Sequence, residues 1–162
     1  MPSPIQVGSM TFTKPNDSQL TATRELDASR ELVWAAHTQC DHVQKWLLGP
    51  EGWTMPICEI DLRPGGRWRY IYKGPNGAGF QMSGVYTDVE APERLVNTEK
   101  MDDYLTETLN TLTLTEEKGR TVVHTVVEYP SKEIREEIIA TGMMDGWAGS
   151  YDRLEEYLRS MG

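Results

Sequence analysis

Residues 19–26 (QLTATREL) alternate weakly between apolar and polar, which predicts a first strand. Asp27-Ala28-Ser29-Arg30-Glu31 then opens a helix, with Ser29 placed to cap it and Leu32, Val33, Ala36 and His37 on adjacent turns. A second short helix is predicted at about 41–48, beginning at the potential cap Asp41 and stopped by Gly49-Pro50. From 53 to 129 the pattern is β throughout. Gly- and Pro-containing turns at 64–66, 74–77, 91–93 and 116–119 separate strands at about 55–62, 67–73, 79–89, 94–100, 106–115 and 120–129. Short runs with turns this regular indicate an antiparallel meander. A long amphipathic segment closes the chain at about 131–159, with Ser131 as cap and Glu133, Glu136 and Glu137 near the positive end of its dipole. One helix of that length would span about 42 Å.

The order of strand, two helices, six-strand meander and long helix defines an α+β fold. A one-faced antiparallel sheet needs a cover, and only the C-terminal helix is long enough to supply it. A strongly curved sheet cannot close on one helix along its whole length, so a cavity between the two is expected. Residues 18–162 read as a single domain. Residues 1–17, rich in Pro, Ser and Thr, read as a loose N-terminal arm or as a pairing at a sheet edge.

Charge narrows the partners. Sixteen Lys and Arg stand against 25 Asp and Glu, a net charge of −9. That opposes sequence-independent nucleic-acid binding, which needs a basic footprint, and docking on anionic lipid. The two cysteines, Cys40 and Cys58, are too few for a disulfide framework and no motif joins them, so both are expected to stay reduced. Without an opening apolar run or an 18-residue apolar stretch, the reading is a soluble, cytoplasmic protein.

Several motifs carry a resemblance: Cys58-Glu59-Ile60-Asp61-Leu62-Arg63-Pro64-Gly65-Gly66-Arg67-Trp68-Arg69, Gly84-Val85-Tyr86, Pro92-Glu93-Arg94-Leu95-Val96, Gly142-Met143-Met144-Asp145-Gly146-Trp147 and Ser150-Tyr151-Asp152-Arg153-Leu154. Together, over roughly residues 20–160, they resemble the activator of heat shock protein 90 ATPase homologue-like family of the START/Bet v-like (SRPBCC) superfamily. The resemblance implies the helix-grip fold, a curved antiparallel sheet wrapped around a long C-terminal helix, with two short helices after the first strand. Most such proteins are small bacterial proteins without an assigned activity. Two positions depart from the pattern. Leu47 follows Trp46 where relatives often place a second Trp, and Tyr151 replaces an aliphatic residue.

Candidate chemistry sits on the predicted inner wall. Strand 67–73 alternates Trp68, Tyr70 and Tyr72 with Arg67, Arg69 and Lys73, which reads as aromatics inward and cations in water rather than as a nucleic-acid platform. Phe80, Met82 and Tyr86 continue the wall, with Gly84 leaving space between them. On the long helix Met143, Trp147 and Tyr151 share a face, which sets Trp147 opposite Trp68 and Tyr70. Its glycines read first as points of close packing, then as a void or a kink. His37, Cys40, Asp41 and His42 invite a metal reading, but the helix break between them spoils the ligand geometry. No nucleophile elbow or phosphate loop is present, and no cofactor is called for. Glu59, Asp61, Glu99 and Glu107 lie on strands, where carboxylates usually face solvent.

The leading expectation is therefore a non-catalytic binder of a small hydrophobic or aromatic molecule. Its candidate ligand-binding residues are Trp46, Trp68, Tyr70, Tyr72, Phe80, Met82, Tyr86, Met143, Trp147 and Tyr151. The alternative is a cyclase- or hydrolase-type enzyme, as the same superfamily contains. An inward-facing buried carboxylate would favour the enzyme; a lining of Tyr, Trp and Met alone would favour the binder. Chaperone co-regulation rests on the family name only, and the pattern leaves monomer and homodimer open.

Overall fold

The computed structural model describes residues 3–101 and 106–161. The elements in chain order are β1 (Ile5–Val7), β2 (Met10–Thr13), β3 (Gln19–Leu26), α1 (Arg30–Thr38), α2 (Cys40–Trp46), β4 (Thr54–Ile60), β5 (Arg67–Lys73), β6 (Gly79–Glu90), β7 (Arg94–Met101), β8 (Glu107–Glu117), β9 (Arg120–Glu128), α3 (Lys132–Ile139) and α4 (Met143–Met161). All nine strands join one antiparallel sheet, ordered β1-β2-β3-β9-β8-β7-β6-β5-β4. The meander from β4 to β9 pairs each strand with its sequence neighbour. Only β3 docks non-locally, on β9, from Gln19↔Glu128 to Leu26↔Thr121. The curved sheet with a long helix closing the chain is the helix-grip architecture.

The N-terminal arm is an extension of the sheet rather than a loose tail. Ile5–Val7 and Met10–Thr13 form a hairpin that pairs onto β3. Its turn needs the left-handed backbone that Gly8 supplies at φ +59°. The hairpin is held by burial, because Met10 and Phe12 are both fully enclosed.

Capping follows the sequence at two helices and departs from it at a third. Ser29 Oγ accepts from Leu32 N at 3.3 Å, and Ser131 Oγ accepts from Ile134 N at 3.2 Å. Helix α2 instead begins at Cys40 behind Gln39, which makes no side-chain cap, and Asp41 lies inside its first turn. It stops at Trp46, two residues before the expected end. There α4 finishes it from outside: Arg153 donates to Trp46 O at 3.0 Å and to Gly49 O at 3.2 Å, while Ser150 Oγ accepts from Gly49 N at 2.8 Å. These bonds tie the end of α2 and the loop after it to α4.

The single long helix predicted at 131–159 is two helices. The break falls at 140–142, where Gly142 takes φ +90° and donates to Ile139 O at 3.1 Å. A left-handed glycine past the last turn ends a helix cheaply. Space, not close packing, surrounds the remaining glycines: an added Cβ on Gly149 would meet nothing within 4 Å, and on Gly146 only Pro50 at 3.9 Å. Two buried arginines fix the helices to the sheet. Arg24 of β3 bonds Asp152 at 2.9 Å and Glu155 at 3.3 Å on α4. Arg135 of α3 bonds Glu136 at 2.9 Å and the Gln19 carbonyl at 3.1 Å.

The cysteines do not stay reduced: Cys40 and Cys58 form a disulfide, with Cα atoms 5.7 Å apart. The cause is tertiary. Helix α2 packs along β4, and Cys40 at its first position faces Cys58 near the strand's middle, within the range a disulfide spans.

Candidate functional site

Between the concave sheet and α4 lies a cavity of about 640 Å³. Alternation builds its floor. Trp68, Tyr70 and Tyr72 of β5 are buried on the inner side, while Arg67 and Lys73 are exposed on the outer. Trp68 and Tyr70 rings tilt together at 4.7 Å, and Tyr72 stacks on Phe80 at 4.7 Å. Gly84 leaves no open space. A Cβ there would sit 1.8 Å from Thr98 O and 2.7 Å from Trp68 Nε1, so the glycine lets the indole lie flat and donate to Thr98 O at 3.2 Å.

The opposite wall comes from α1, α2 and α4. Trp46 lies against His37 at 4.9 Å and Tyr151 at 5.3 Å, and its indole N–H donates to Ala36 O at 2.8 Å. His37 Nδ1 is 2.8 Å from Val33 O, which fixes Nδ1 as the donor and Nε2 as the acceptor from the Tyr151 hydroxyl at 2.8 Å. Burial lowers the His37 pKa to about 4, so the ring is neutral near pH 7. Tyr151, the departure noted in sequence, is thus a polar link between α4 and α1. Trp147 also lines the cavity, but its ring neighbour is Phe12 of the N-terminal hairpin at 5.7 Å.

The floor's polar centre is Glu99. On β7 the residues Leu95, Asn97, Glu99 and Met101 follow one another at period two, and all line the cavity. Desolvation pushes Glu99 up to about 7. Tyr70, Tyr72 and Tyr129 lie within its electrostatic reach; burial, the first cause in each, and the neighbouring carboxyl raise all three. Burial alone raises Tyr86. Among the described residues, neither the Glu99 carboxyl nor the hydroxyls of Tyr70, Tyr72, Tyr86 and Tyr129 has a side-chain hydrogen bond. Five polar groups therefore face the cavity with unused bonding capacity. The exposed lining residues Pro50, Glu137 and Thr141 mark its mouth, where the α2–β4 loop meets the α3–α4 break.

A family model for activator of Hsp90 ATPase homolog 1-like protein matches residues 27–159. The chain belongs to this family. Solved relatives carry the same fold. A Rhodobacter sphaeroides protein is 29% identical, with a TM-score of 0.88 over 93% of this chain and 99% of its own. A Nitrosomonas europaea protein is 25% identical, with a TM-score of 0.80 over 91% and 98%. An AHSA1-like protein from Aeromonas hydrophila is 26% identical, with a TM-score of 0.65 over 88% and 94%. No curated protein matches the chain.

The structure brings all ten candidate residues to this one cavity. Trp46, Trp68, Tyr70, Tyr72 and Phe80 line it, as do Met82, Tyr86, Met143, Trp147 and Tyr151. Of the four carboxylates expected on strands, Glu59 turns outward to Arg69, Asp61 falls just past the end of β4 and pairs with Arg63, and Glu107 is exposed. Glu99 alone faces in. The sequence reading missed His37, Trp53, Tyr129 and the Asn97 and Asn110 amides in the lining. The period-two step through Leu95, Asn97 and Glu99 was the available signal. Elsewhere, Cys40 is in the disulfide and His42 Nδ1 meets the Tyr157 hydroxyl at 2.6 Å, so the metal-like cluster is spread over separate jobs. Among the described residues, no helix is long and apolar enough to cross a membrane.

Proposed function

We propose that the protein binds a small hydrophobic or aromatic molecule in this cavity. The observation that carries the reading is the lining itself: aromatic walls around five polar groups that lack side-chain hydrogen bonds among the described residues. Ligand sites typically combine an apolar wall with a few convergent polar groups, and about 640 Å³ lies within the range of small-molecule pockets. The aromatic faces supply contact area, and the Tyr hydroxyls with Glu99 orient polar substituents. Native mass spectrometry of protein taken from its own host tests this, because a copurifying ligand adds its mass to the folded chain. Empty protein that also takes up no hydrophobic dye would refute it.

Glu99 favours a second reading, an enzyme that moves a proton. A carboxyl poised near pH 7 inside an apolar cavity suits a general base. Deuterium uptake beside the carbonyl of 2-tetralone, lost in Glu99→Gln, would support it; equal uptake by both proteins would sink it. A Cys40–Cys58 disulfide is unusual for the cytoplasmic placement read from the lack of an apolar leader or membrane-length apolar stretch.

A further inference from the structure

The charges around the cavity are one-sided. Among the described residues its ionisable lining comprises Glu99 on the floor, Glu137 at the mouth, five tyrosines and the neutral His37. Among the described residues no Lys or Arg lines it. Nearby cations are committed elsewhere: Arg24, close to Tyr151, holds Asp152 and Glu155, Arg135, close to Tyr129, holds Glu136, and Arg153, behind the lining residues Trp46 and Gly49, donates to their backbone carbonyls. An anionic ligand such as a fatty acid would find carboxyls and no counter-charge. A neutral ligand would leave the Glu99 charge unpaired whenever it ionised, which costs heavily in an apolar site. A cation removes both problems. Glu99 supplies the opposite charge, and the faces of Trp68, Tyr70, Tyr72 and Phe80 supply the negative quadrupole that attracts ammonium groups.

We propose that the cavity selects hydrophobic organic amines, with the ammonium group paired to Glu99 and the carbon skeleton held between the aromatic walls. The proposal rests on the binding reading above and names its ligand class. The groups facing Glu99 are Tyr70 and Tyr72 from β5 and Tyr129 after β9, with Glu137 of α3 and His37 of α1 elsewhere on the lining. Of these, only Glu99 changes charge near pH 7 inside the cavity. Ammonium binding ionises it and releases its proton to solvent. Affinity for an amine therefore climbs as pH rises to about 7 and levels above it, until the amine itself deprotonates.

Three tricyclic probes of one shape separate the possibilities: 9-(aminomethyl)anthracene, 9-anthracenemethanol and anthracene-9-carboxylate, titrated by fluorescence and calorimetry. At pH 8 the amine is expected to bind at least tenfold more tightly than the alcohol, and the carboxylate more weakly than either. Below pH 7 the amine should lose close to tenfold in affinity per pH unit, while the alcohol changes little. Glu99→Gln should erase the amine's advantage yet leave alcohol binding within about threefold. Alcohol binding without an amine preference, or an amine preference that survives Glu99→Gln, overturns the proposal while the binding reading stands. Failure of all three probes to bind overturns both. The wild-type pH profile decides by itself if the variant does not fold.

Discussion

Glu99 and His37 put two opposite pH dependences into one core. Glu99 has a folded pKa of about 7 against 4.5 for the ordinary group, so between those values the native state keeps a proton that the unfolded chain releases. Its contribution to stability is present below pH 4.5 and is lost as pH rises to 7. His37 runs the other way, with a folded pKa of about 4 against 6.5. Its contribution is present above pH 6.5 and is lost as pH falls to 4. Either displacement is worth roughly 3 kcal/mol as an upper bound, since water inside the cavity screens part of it. Across pH 4.5–6.5 the proton counts cancel, and this pair leaves the wild-type profile flat.

The test is Glu99→Gln, which keeps the shape and removes the titration. Urea unfolding, followed by tryptophan fluorescence without reductant, gives the stability of both proteins from pH 4.5 to 8. Their difference cancels every other titrating group. The variant should gain on the wild type by up to about 3 kcal/mol across that window, with a slope near 1.4 kcal/mol per pH unit. A difference constant to within about 0.5 kcal/mol would show that the Glu99 carboxyl is solvated like a surface group. The account of the cavity as a desolvated site would then fail.

Three further outcomes follow from the structure. Unreduced, unfolded protein should show no free thiols, and Cys40→Ser should cost roughly 3 kcal/mol for a loop of this length; two thiols by titration would refute the bond. Trp147→Ala should cost about 1–3 kcal/mol and increase hydrophobic dye uptake, because the indole is only half-buried beside open space; a loss of 4 kcal/mol or more without dye binding would mean a filled core. Gly84→Ala should cost at least about 3 kcal/mol in urea unfolding, since its Cβ would meet the Thr98 carbonyl, and a neutral result would contradict the strand spacing.

The meander was legible because its turns are local. Pro64-Gly65-Gly66 and Glu116-Glu117-Lys118-Gly119 mark reversals that need no distant partner, and β5, β6, β7 and β9 begin and end within two residues of their predicted bounds. Non-local pairings left no comparable mark. The hairpin of β1 and β2 is too short and too polar to announce itself, and it is ordered only because β3 offers an edge and Phe12 finds a buried place beside Trp147. The α3–α4 break was readable in principle. Gly142 stands where an amphipathic pattern continues on both sides, and periodicity alone cannot separate one helix from two that share a face.

The cavity's aromatic wall was equally legible, since period-two alternation assigns Trp68, Tyr70 and Tyr72 to one side wherever the strand sits in the sheet. Its polar centre was not. A carboxylate on a strand carries a strong expectation of facing solvent, and Glu59 and Glu107 obey it. What exempts Glu99 is the register of β7, which sends Leu95 and Asn97 inward and obliges the next alternate residue to follow. Burying that carboxyl without a cation costs stability at neutral pH, as the linkage arithmetic shows. Glutamine of the same shape would avoid that charge cost. The proposed amine would give a glutamate there the partner it lacks, which is why the charge preference of the cavity is the property to measure first.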